Sequence, residues 1–408
     1  KLGSDPFLSR AMRDAAGLPP PERRLGLAAH DFAELASLPG VILTRATSAD
    51  GAPTVASRWL WRLQTLTRGA LGKDAAEEAL KAQPDYLKLG SALDAVAEDQ
   101  LTGIEPPLPR PPLAARPDTL PVTAIEAWVR DPYAVYAQRI LGLRELDPLD
   151  REPGPAERGN AWHTALELWV KGLGDRIRLP EDALAMLVAH GETALREAGF
   201  TEAELATELP RFAHAARWMV DYEAQRRAQG QLPLAMEATG RISFAAGPVQ
   251  FTLTAKPDRI DKAREGHVIV DYKTGRVPSE AAVDAGFSPQ LTLTGAILAK
   301  GGFEGVPAGP IHRYRYVAVK GTKTAGEELE IPGLDKKGAL KADPEEMHAK
   351  ALARLVRYAA KFADENAAYE SQPRRQFVND FGTYDHLARR KEWSTAPDKE
   401  NRNGEGEA

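Results

Sequence analysis

The sequence contains no cysteine, which excludes disulfides, thiolate metal sites and iron–sulfur clusters. It also lacks any apolar run of the roughly 20 residues that a membrane helix needs, and its N-terminus has no basic-then-apolar signal pattern. Neither a G-x-G-x-x-G turn nor a G-x-x-x-x-G-K-[ST] loop is present, so nothing in the sequence should hold the phosphates of ATP. A basic excess is missing too, because the net charge is −5. These absences favour a cytoplasmic protein with no membrane partner, in which nucleic acid could be bound only by a local basic groove.

The length and composition are those of a globular protein with more than one domain. With 408 residues, the chain has room for two or three domains of about 100–200 residues each. Residues 105–121 contain seven prolines, which predicts an extended connector between a domain at 1–104 and one at 122–392. The polar residues 393–408 predict a disordered tail. The chain begins with Lys1 and not with methionine, which indicates a fragment or a processed piece.

Hydrophobic patterns predict the secondary structure on either side of the proline-rich segment. Before it, residues 41–46 (VILTRA) are typical of a buried strand and residues 57–67 of a helix. After it, Thr123 is expected to cap a helix that is broken at Pro132.

The remaining segments alternate between helices and strands. Trp162, Leu166 and Trp169 form the apolar stripe of a helix, and residues 180–228 are predicted to be helical throughout. Further strands are predicted at 248–261, 267–275 and 311–321, and further helices at 288–300 and 345–368. This order of elements predicts a mixed α/β fold, with a small mixed sheet flanked by helices.

The stretch VIVDYKTG, residues 268–275, places charge at the end of an apolar strand. Side chains alternate along a strand, so Asp271 and Lys273 share one face and Tyr272 points to the other. If the preceding strand pairs with this one as a hairpin, Asp258 closes that strand at the same end of the sheet. Two carboxylates suit Mg²⁺ or Mn²⁺, and the lysine could orient a water molecule or offset phosphate charge. D-x-K alone more often marks a solvated strand end, and Asp258 alone could belong to a turn.

Three further side chains, in two predicted helices, are candidates for the same site. His163 and Glu167 lie four residues apart on one helix face, and a neutral imidazole can complete a metal site. Gln290 lies in the first turn of the next helix, where it could touch the substrate or the lysine. A single helical histidine is more often structural, and Glu167 fits equally well as its partner or as an exposed acid.

Taken in order, the motifs G-x-x-x-H, P-D, D-Y-K-T-G and Q-L resemble those of the RecB-type branch of the PD-(D/E)XK nucleases. The matching residues are Gly159, His163, Pro257, Asp258, Asp271, Tyr272, Lys273, Gln290 and Leu291. The resemblance implies a PD-(D/E)XK nuclease core that binds Mg²⁺, or Mn²⁺, and cuts DNA. The implied metal ligands are His163, Asp258, Asp271 and the main-chain carbonyl of Tyr272. The implied catalytic residues are Asp258, Asp271, Lys273 and Gln290.

The resemblance extends to the AddB-type subunits of the bacterial AddAB helicase–nucleases. Its further matches are residues 5–32, 41–46, 57–63 and 384–394. It implies that residues 1–104 are the end of an inactive helicase-like domain and that the chain pairs with an AddA-like subunit. The implied activity is exonucleolytic hydrolysis of DNA ends during double-strand-break repair by recombination.

The chain departs from this pattern in two ways, and other interpretations stay open. Many AddB-type subunits hold an iron–sulfur cluster with four cysteines, which are absent here, and Thr294 stands where the RecB-type motif often has a tyrosine. One alternative is a catalytically silent nuclease-fold subunit that binds DNA or acts as a scaffold. Another is a stand-alone RecB-like nuclease for single strands.

Overall fold

The computed structural model describes residues 8–20, 22–49, 51–81, 84–97, 100, 104–146, 149, 151–373 and 382–394. The chain forms two compact units, Lys1–Thr102 and Gly103–Ala408. From residue 395 onward, the tail predicted at 393–408 lies outside the described residues.

The first unit is mainly helical. Its elements are α1 (Arg10–Ala15), α2 (Glu22–Ala36), β1 (Ser48–Ala49), β2 (Ala52–Pro53), α3 (Arg58–Leu71), α4 (Lys73–Ala79) and α5 (Tyr86–Asp94). The helix predicted at 57–67 is confirmed as α3. The Ser57 hydroxyl accepts a hydrogen bond from the Leu60 N–H at 3.2 Å, which satisfies one of the free N–H groups of the first turn.

The prediction of a strand at 41–46 is wrong, because this segment has no regular secondary structure. Val41, Ile42 and Leu43 are 40%, 51% and 44% exposed. A buried strand needs a partner for its backbone groups and an apolar layer for its side chains. Among the described residues of this unit only Ala76 is buried, so the apolar run meets no such layer there. The helicase-like assignment of residues 1–104 stays a prediction.

The second unit contains two sheets. Its strands are β3 (Thr119–Pro121), β4 (Leu232–Met236), β5 (Gly240–Ala246), β6 (Val249–Ala255), β7 (Arg259–Ala263), β8 (Gly266–Lys273), β9 (Ile311–Val319) and β10 (Gly326–Ile331). The main sheet has the order β10-β9-β8-β7-β4, in which β8 and β9 are parallel and the other neighbours are antiparallel. The second sheet has the order β3-β6-β5.

Helices cover both faces of the main sheet, which confirms the predicted mixed α/β fold. They are α6 (Val122–Arg130), α7 (Pro132–Val135), α8 (Pro155–Leu173), α9 (Ala183–Glu197), α10 (Glu202–Ala228), α11 (Glu280–Ala285), α12 (Gln290–Ala299), α13 (Pro344–Phe362) and α14 (Arg390–Trp393). Val268 and Val270 of β8 join the core formed with α8, α9 and α10. Ile269 joins the core formed with α6, α12 and α13. Strand alternation therefore directs Asp271 and Lys273 toward this second helical layer.

The predicted helices of the first layer are confirmed, with one interruption. Trp162, Leu166 and Trp169 are all buried, as their spacing on one helix face predicts. The segment 180–228 is not helical throughout, because it divides into α9 and α10. Thr201 caps α10, and its non-helical backbone separates the two helices.

Two helix boundaries in the second layer differ from the prediction. The helix expected to be capped by Thr123 begins at Val122, directly after Pro121, because the preceding residues belong to β3. Its break before Pro132 is confirmed. The helix predicted at 345–368 ends at Phe362.

Hydrogen bonds and strand pairing hold the proline-rich segment 105–121 against other residues of the second unit. The Arg116 guanidinium donates to the carbonyl oxygens of Phe362, Asp364 and Glu365 at 2.9, 2.7 and 2.8 Å. Residues Thr119–Pro121 then pair in parallel with β6 at the edge of its sheet. Proline is tolerated at such an edge because one side of the strand makes no ladder hydrogen bonds.

The hairpin that carries the motifs differs from the predicted one. Strand β6 belongs to the second sheet, and the hairpin is β7–β8, with Arg259 opposite Val270. Asp258 therefore precedes the first strand of the hairpin and does not close it. The single strand predicted at 248–261 is interrupted at Pro257, which has no N–H for the ladder. Asp258 still meets Asp271, because in this register the residue before Arg259 faces the residue after Val270.

Candidate active site

Asp258 is held against β8 by its own side chain. Its Oδ2 accepts a hydrogen bond from the main-chain N–H of Tyr272 at 2.6 Å, between Asp271 and Lys273. Its Oδ1 lies 3.2 Å from Nδ1 of His163. The structure thus brings together residues that are far apart in the sequence, as the hairpin prediction required.

Helix α8 reaches this end of the sheet because a glycine allows close approach. A Cβ atom at Gly159 would lie 3.1 Å from Oγ1 of Thr274, which follows the strand. His163 is one helical turn further on, on the same face of α8. Burial opposes a charged imidazole here, but the hydrogen bond and charge of Asp258 outweigh it and raise the pKa of His163.

Asp271 is buried at the centre of the cluster, where it is 4% exposed. Its Oδ1 accepts a hydrogen bond from Nε2 of Gln290 at 2.6 Å, and its Oδ2 lies 2.7 Å from Nζ of Lys273. Burial raises the pKa of Asp271 to about 6, against the opposing charge of Lys273 and with the support of the like charge of Asp258. The two carboxylates are therefore close enough to repel one another.

Lys273 and Gln290 complete the cluster. The lysine Nζ lies 3.4 Å from Oε1 of Gln290, so the ammonium, the amide and the Asp271 carboxylate contact one another. The same Nζ lies 5.8 Å from the centre of the Tyr316 ring, within the range of a cation–π contact. The Lys273 side chain is 28% exposed, so its charge can still be reached from solvent.

A buried ionic network supports the hairpin from its other face. Arg259 donates from Nη1 to Oε2 of Glu223 at 2.7 Å and to the Tyr272 hydroxyl at 3.3 Å. Arg227 donates from Nε to Oε1 of the same glutamate at 2.6 Å, and Arg259 also pairs with Asp261. We call Glu223, Arg227, Arg259 and Asp261 the rear network. No motif marks it, although two charges two residues apart in a buried strand are a signal for Arg259 and Asp261.

Glu126 on α6 is a further acid beside the cluster that the motifs do not include. Burial raises the pKa of Glu126, against the charges of Arg130 and Lys273 and a hydrogen bond from Ser288. Its Oε1 lies 3.2 Å from Nε of Arg130. The only sequence signal for this residue is the acid–base pair at four-residue spacing.

The sequence leaves the roles of Glu167 and Thr294 open, and both side chains have partners in the structure. Glu167 forms an ion pair with Lys171 one turn later on α8, not with His163. Thr294 is buried, and its hydroxyl donates to the carbonyl of Gln290 at 2.8 Å. It therefore lies within the protein interior, where it cannot take over a contact between tyrosine and DNA.

The side-chain chemistry of His163, Asp258 and Asp271 fits Mg²⁺ or Mn²⁺, because two hard carboxylates stand beside an imidazole. Across the part of the chain that the structure describes, no group of three or more His, Asp and Glu side chains is arranged to hold a metal ion. The oxygens of both aspartates are instead engaged by neighbouring side chains and a main-chain N–H. The roles of these residues as metal ligands remain predictions.

The chain can be compared with known proteins through its described structure and its sequence. Among the described residues, none of the helices is long and apolar enough to cross a membrane. Uncharacterized proteins of Rickettsia are similar over 193 residues, which make up 46% of this chain. The protein of Rickettsia felis is 30% identical there, and RC0550 of Rickettsia conorii is 29% identical. The matches cover 22% and 23% of these relatives, so the chain spans under a quarter of their length.

The solved structure of SSO0001 is 13% identical and covers 66% of this chain and 82% of its own, with a TM-score of 0.25. A similarity this low supports no inference. The family model of the PD-(D/E)XK nuclease superfamily, in contrast, matches residues 119–377. This range is more than half of the chain and contains His163, Asp258, Asp271, Lys273 and Gln290. The chain therefore belongs to the PD-(D/E)XK nuclease superfamily.

Proposed function

We propose that this chain is a Mg²⁺-dependent deoxyribonuclease that hydrolyses phosphodiester bonds from DNA ends. One observation carries the proposal. At the end of the β7–β8 hairpin, Asp258 lies across from Asp271, and the Lys273 ammonium is 2.7 Å from the buried Asp271 carboxylate. Two acids with an adjacent fixed cation supply the charges that phosphodiester hydrolysis needs at one point in space.

In the proposed reaction, His163, Asp258, Asp271 and the carbonyl of Tyr272 would hold Mg²⁺, with Mn²⁺ as a possible substitute. A bound ion of this kind acidifies a water molecule and offsets the charge of a phosphate group. Lys273 would hold the attacking water or the scissile phosphate. Gln290 would act as a positioning residue, because its amide contacts both Asp271 and Lys273 and so directs the ammonium toward the carboxylate.

We further propose that the chain acts as an AddB-like subunit of a cytoplasmic helicase–nuclease that processes double-strand breaks for recombination. The support is the order of the motifs, together with the resemblance of the segments at both ends of the chain. The similar Rickettsia proteins are several times longer than the matched region, as expected for a subunit with further domains. The expected partner is an AddA-like helicase–nuclease subunit.

The test is degradation of end-labelled linear DNA with Mg²⁺, with and without EDTA, and with and without the AddA-like partner. The variants are Asp271→Ala and, as a control, Asp175→Ala, which changes an exposed acid in the turn after α8. The native chain and the control should release nucleotides from linear DNA and spare closed circular DNA. Asp271→Ala should not cut.

The main alternative is a catalytically silent nuclease-fold subunit that binds DNA or acts as a scaffold. If no protein cuts in any setting while DNA binding persists, the nuclease proposal fails and this alternative replaces it. If closed circles are cut as fast as linear DNA, the activity is endonucleolytic and the exonuclease assignment fails.

A further inference from the structure

A cavity of about 390 Å³ lies between α6, the segment after α11 and α13. Apolar and aromatic side chains, among them Ile125, Val129, Phe287, Leu293, Leu355 and Tyr358, line part of it. Two arginines of α13, Arg354 and Arg357, also line it and are exposed. We call this cavity the α6–α13 pocket. A cavity lined by both aromatic and cationic side chains suits a ligand that has a flat apolar part and negative charge.

The pocket shares its walls with the candidate active site. Pro289 lines the pocket, and the next residue, Gln290, donates to Asp271 in the catalytic cluster. On the α6 side, Arg130 donates to the carbonyl of Phe287 at 3.1 Å and pairs with Glu126, the acid beside Lys273. The first turn of α12 therefore joins the pocket to the catalytic cluster.

The cations at the pocket belong to a longer basic row. Lys350, Arg354, Arg357 and Lys361 follow one another at spacings of four, three and four residues, so they share one face of α13. All four are exposed. The acidic residues of this helix are confined to its first turn. In a chain with a net charge of −5, this face is a local positive strip of the kind that phosphates require.

Arg357 is the best placed of these cations. It lines the α6–α13 pocket and also a second cavity between α12 and α13. Its guanidinium has no hydrogen bond or ion pair with any other described residue. Arg354, by comparison, donates to the carbonyl of Asp284. A guanidinium that is exposed at the edge of a cavity can bind a phosphate without breaking an internal contact.

We propose that the α6–α13 pocket binds one unpaired nucleotide of the DNA strand that enters the active site, an inference that rests on the proposed nuclease function. The base would lie against the wall formed by Phe287 and Tyr358, and the adjoining phosphates would contact Arg354 and Arg357. The cavity volume of about 390 Å³ is near the lower end of the range for small-ligand sites, about 300–1,000 Å³. It therefore admits one nucleotide and not a base pair with its two backbones. The strand would therefore be unpaired where it meets the pocket.

The test measures binding of a fluorescent oligothymidylate to the full chain in EDTA, so that no cutting interferes. The variant Arg354→Glu/Arg357→Glu should bind about ten-fold or more weakly, and the slope of log affinity against log salt should fall by about 1.4. Arg178→Glu/Arg217→Glu makes the same charge change at exposed residues of the α8–α10 layer and should stay within about two-fold of the native chain. Because Arg354 also bonds to Asp284, Arg357→Glu alone is the second variant, with about a three-fold loss.

Two further probes address the base. An oligomer of abasic sugar-phosphates should bind about five-fold more weakly than oligothymidylate, because it cannot contact the aromatic wall. Duplex binding should be unchanged in Arg357→Glu. The proposal is overturned if the native chain binds no oligonucleotide, or if the native chain and the pocket variants bind it with equal affinity. It is also overturned if the control pair loses as much affinity as the pocket pair, or if abasic and thymidine strands bind equally.

These outcomes are separable from failure of the proposed function. If the native chain cuts DNA with Mg²⁺ while the pocket variants bind and cut normally, the pocket proposal fails and the nuclease stands. If binding depends on the two arginines but no cutting occurs in any setting, the nuclease proposal fails and the pocket remains a strand-binding site.

Discussion

Replacing Arg259 by methionine should destabilise the catalytic hairpin from behind. Arg259 is 2% exposed and pairs with Glu223, which is fully buried, and with Asp261. Methionine fills part of the volume but offers neither charge nor hydrogen-bond donors. The substitution therefore leaves Asp261 without its arginine partner and leaves Glu223 with Arg227 alone.

The size of the effect follows from burial. Removing one partner of a buried ion pair costs about 3–5 kcal/mol, because the remaining charge stays in a low dielectric. The arginines keep the pKa of Glu223 below its usual value in spite of burial, so this carboxylate is charged in the folded state. Since Arg259 adjoins Asp258 and contacts the Tyr272 hydroxyl, the loss should be concentrated in β7 and β8.

Hydrogen–deuterium exchange of peptides from β7 and β8 measures the free energy of this local opening. A loss of 3–5 kcal/mol corresponds to exchange about 150- to 4,000-fold faster. The control is Arg196→Met, which removes an exposed arginine paired with Glu192 and Glu202 and should leave the hairpin amides unchanged. If the hairpin of Arg259→Met exchanges no faster than that of the control, the rear network does not support the site.

Three other substitutions test separate parts of the structure. Lys273→Met should slow DNA cutting about 10²- to 10³-fold in a nuclease assay while oligonucleotide affinity stays within a few-fold, because the lysine acts mainly on the charge that develops during the reaction. Trp169→Ala, at a fully buried position, should lower the free energy of unfolding by about 3–5 kcal/mol in urea titrations. A loss below about 1 kcal/mol would contradict the packing of the α8–α10 core. Gly159→Ala should reduce cutting more than stability, because the added Cβ would lie 3.1 Å from Thr274 Oγ1. Gly172→Ala in the same helix meets only Met186 at 3.9 Å and should leave cutting unchanged.

The sequence predicts the mixed fold and most elements of the second unit because local patterns and burial agree there. The stripe of Trp162, Leu166 and Trp169 faces a core, and its helix forms as the spacing indicates. The same reasoning fails at 41–46, because an apolar run becomes a strand only if other strands and an apolar layer receive it. In the first unit, the described strands are the two-residue β1 and β2, which pair with each other, and Ala76 is the only described residue that is buried.

The candidate site is predictable only in part, for a related reason. Asp258, Asp271 and His163 come together as expected, although Asp258 opens the hairpin and does not close the strand before it. Motif order identifies these residues, but it contains no information on neighbours that lack a motif. Glu126 reaches the cluster through the packing of α6, and Glu223 reaches Arg259 across 36 positions of sequence. Such contacts arise from tertiary packing, which local spacing does not determine.

Asp271 and Lys273, two residues apart at the end of β8, lie on the same face of the strand. On one face of β8, Tyr272 contacts the rear network. On the other face, Asp271 and Lys273 lie beside Gln290. Burying the Asp271 carboxylate costs desolvation that its pairing with the partly exposed Lys273 seldom recovers in full, and an apolar residue of similar size would stabilise the fold as well or better. Stability alone therefore does not account for this pair. A charged cluster that contains a carboxylate with a pKa raised to about 6 supports, in contrast, the proposal that this end of the sheet has a catalytic role.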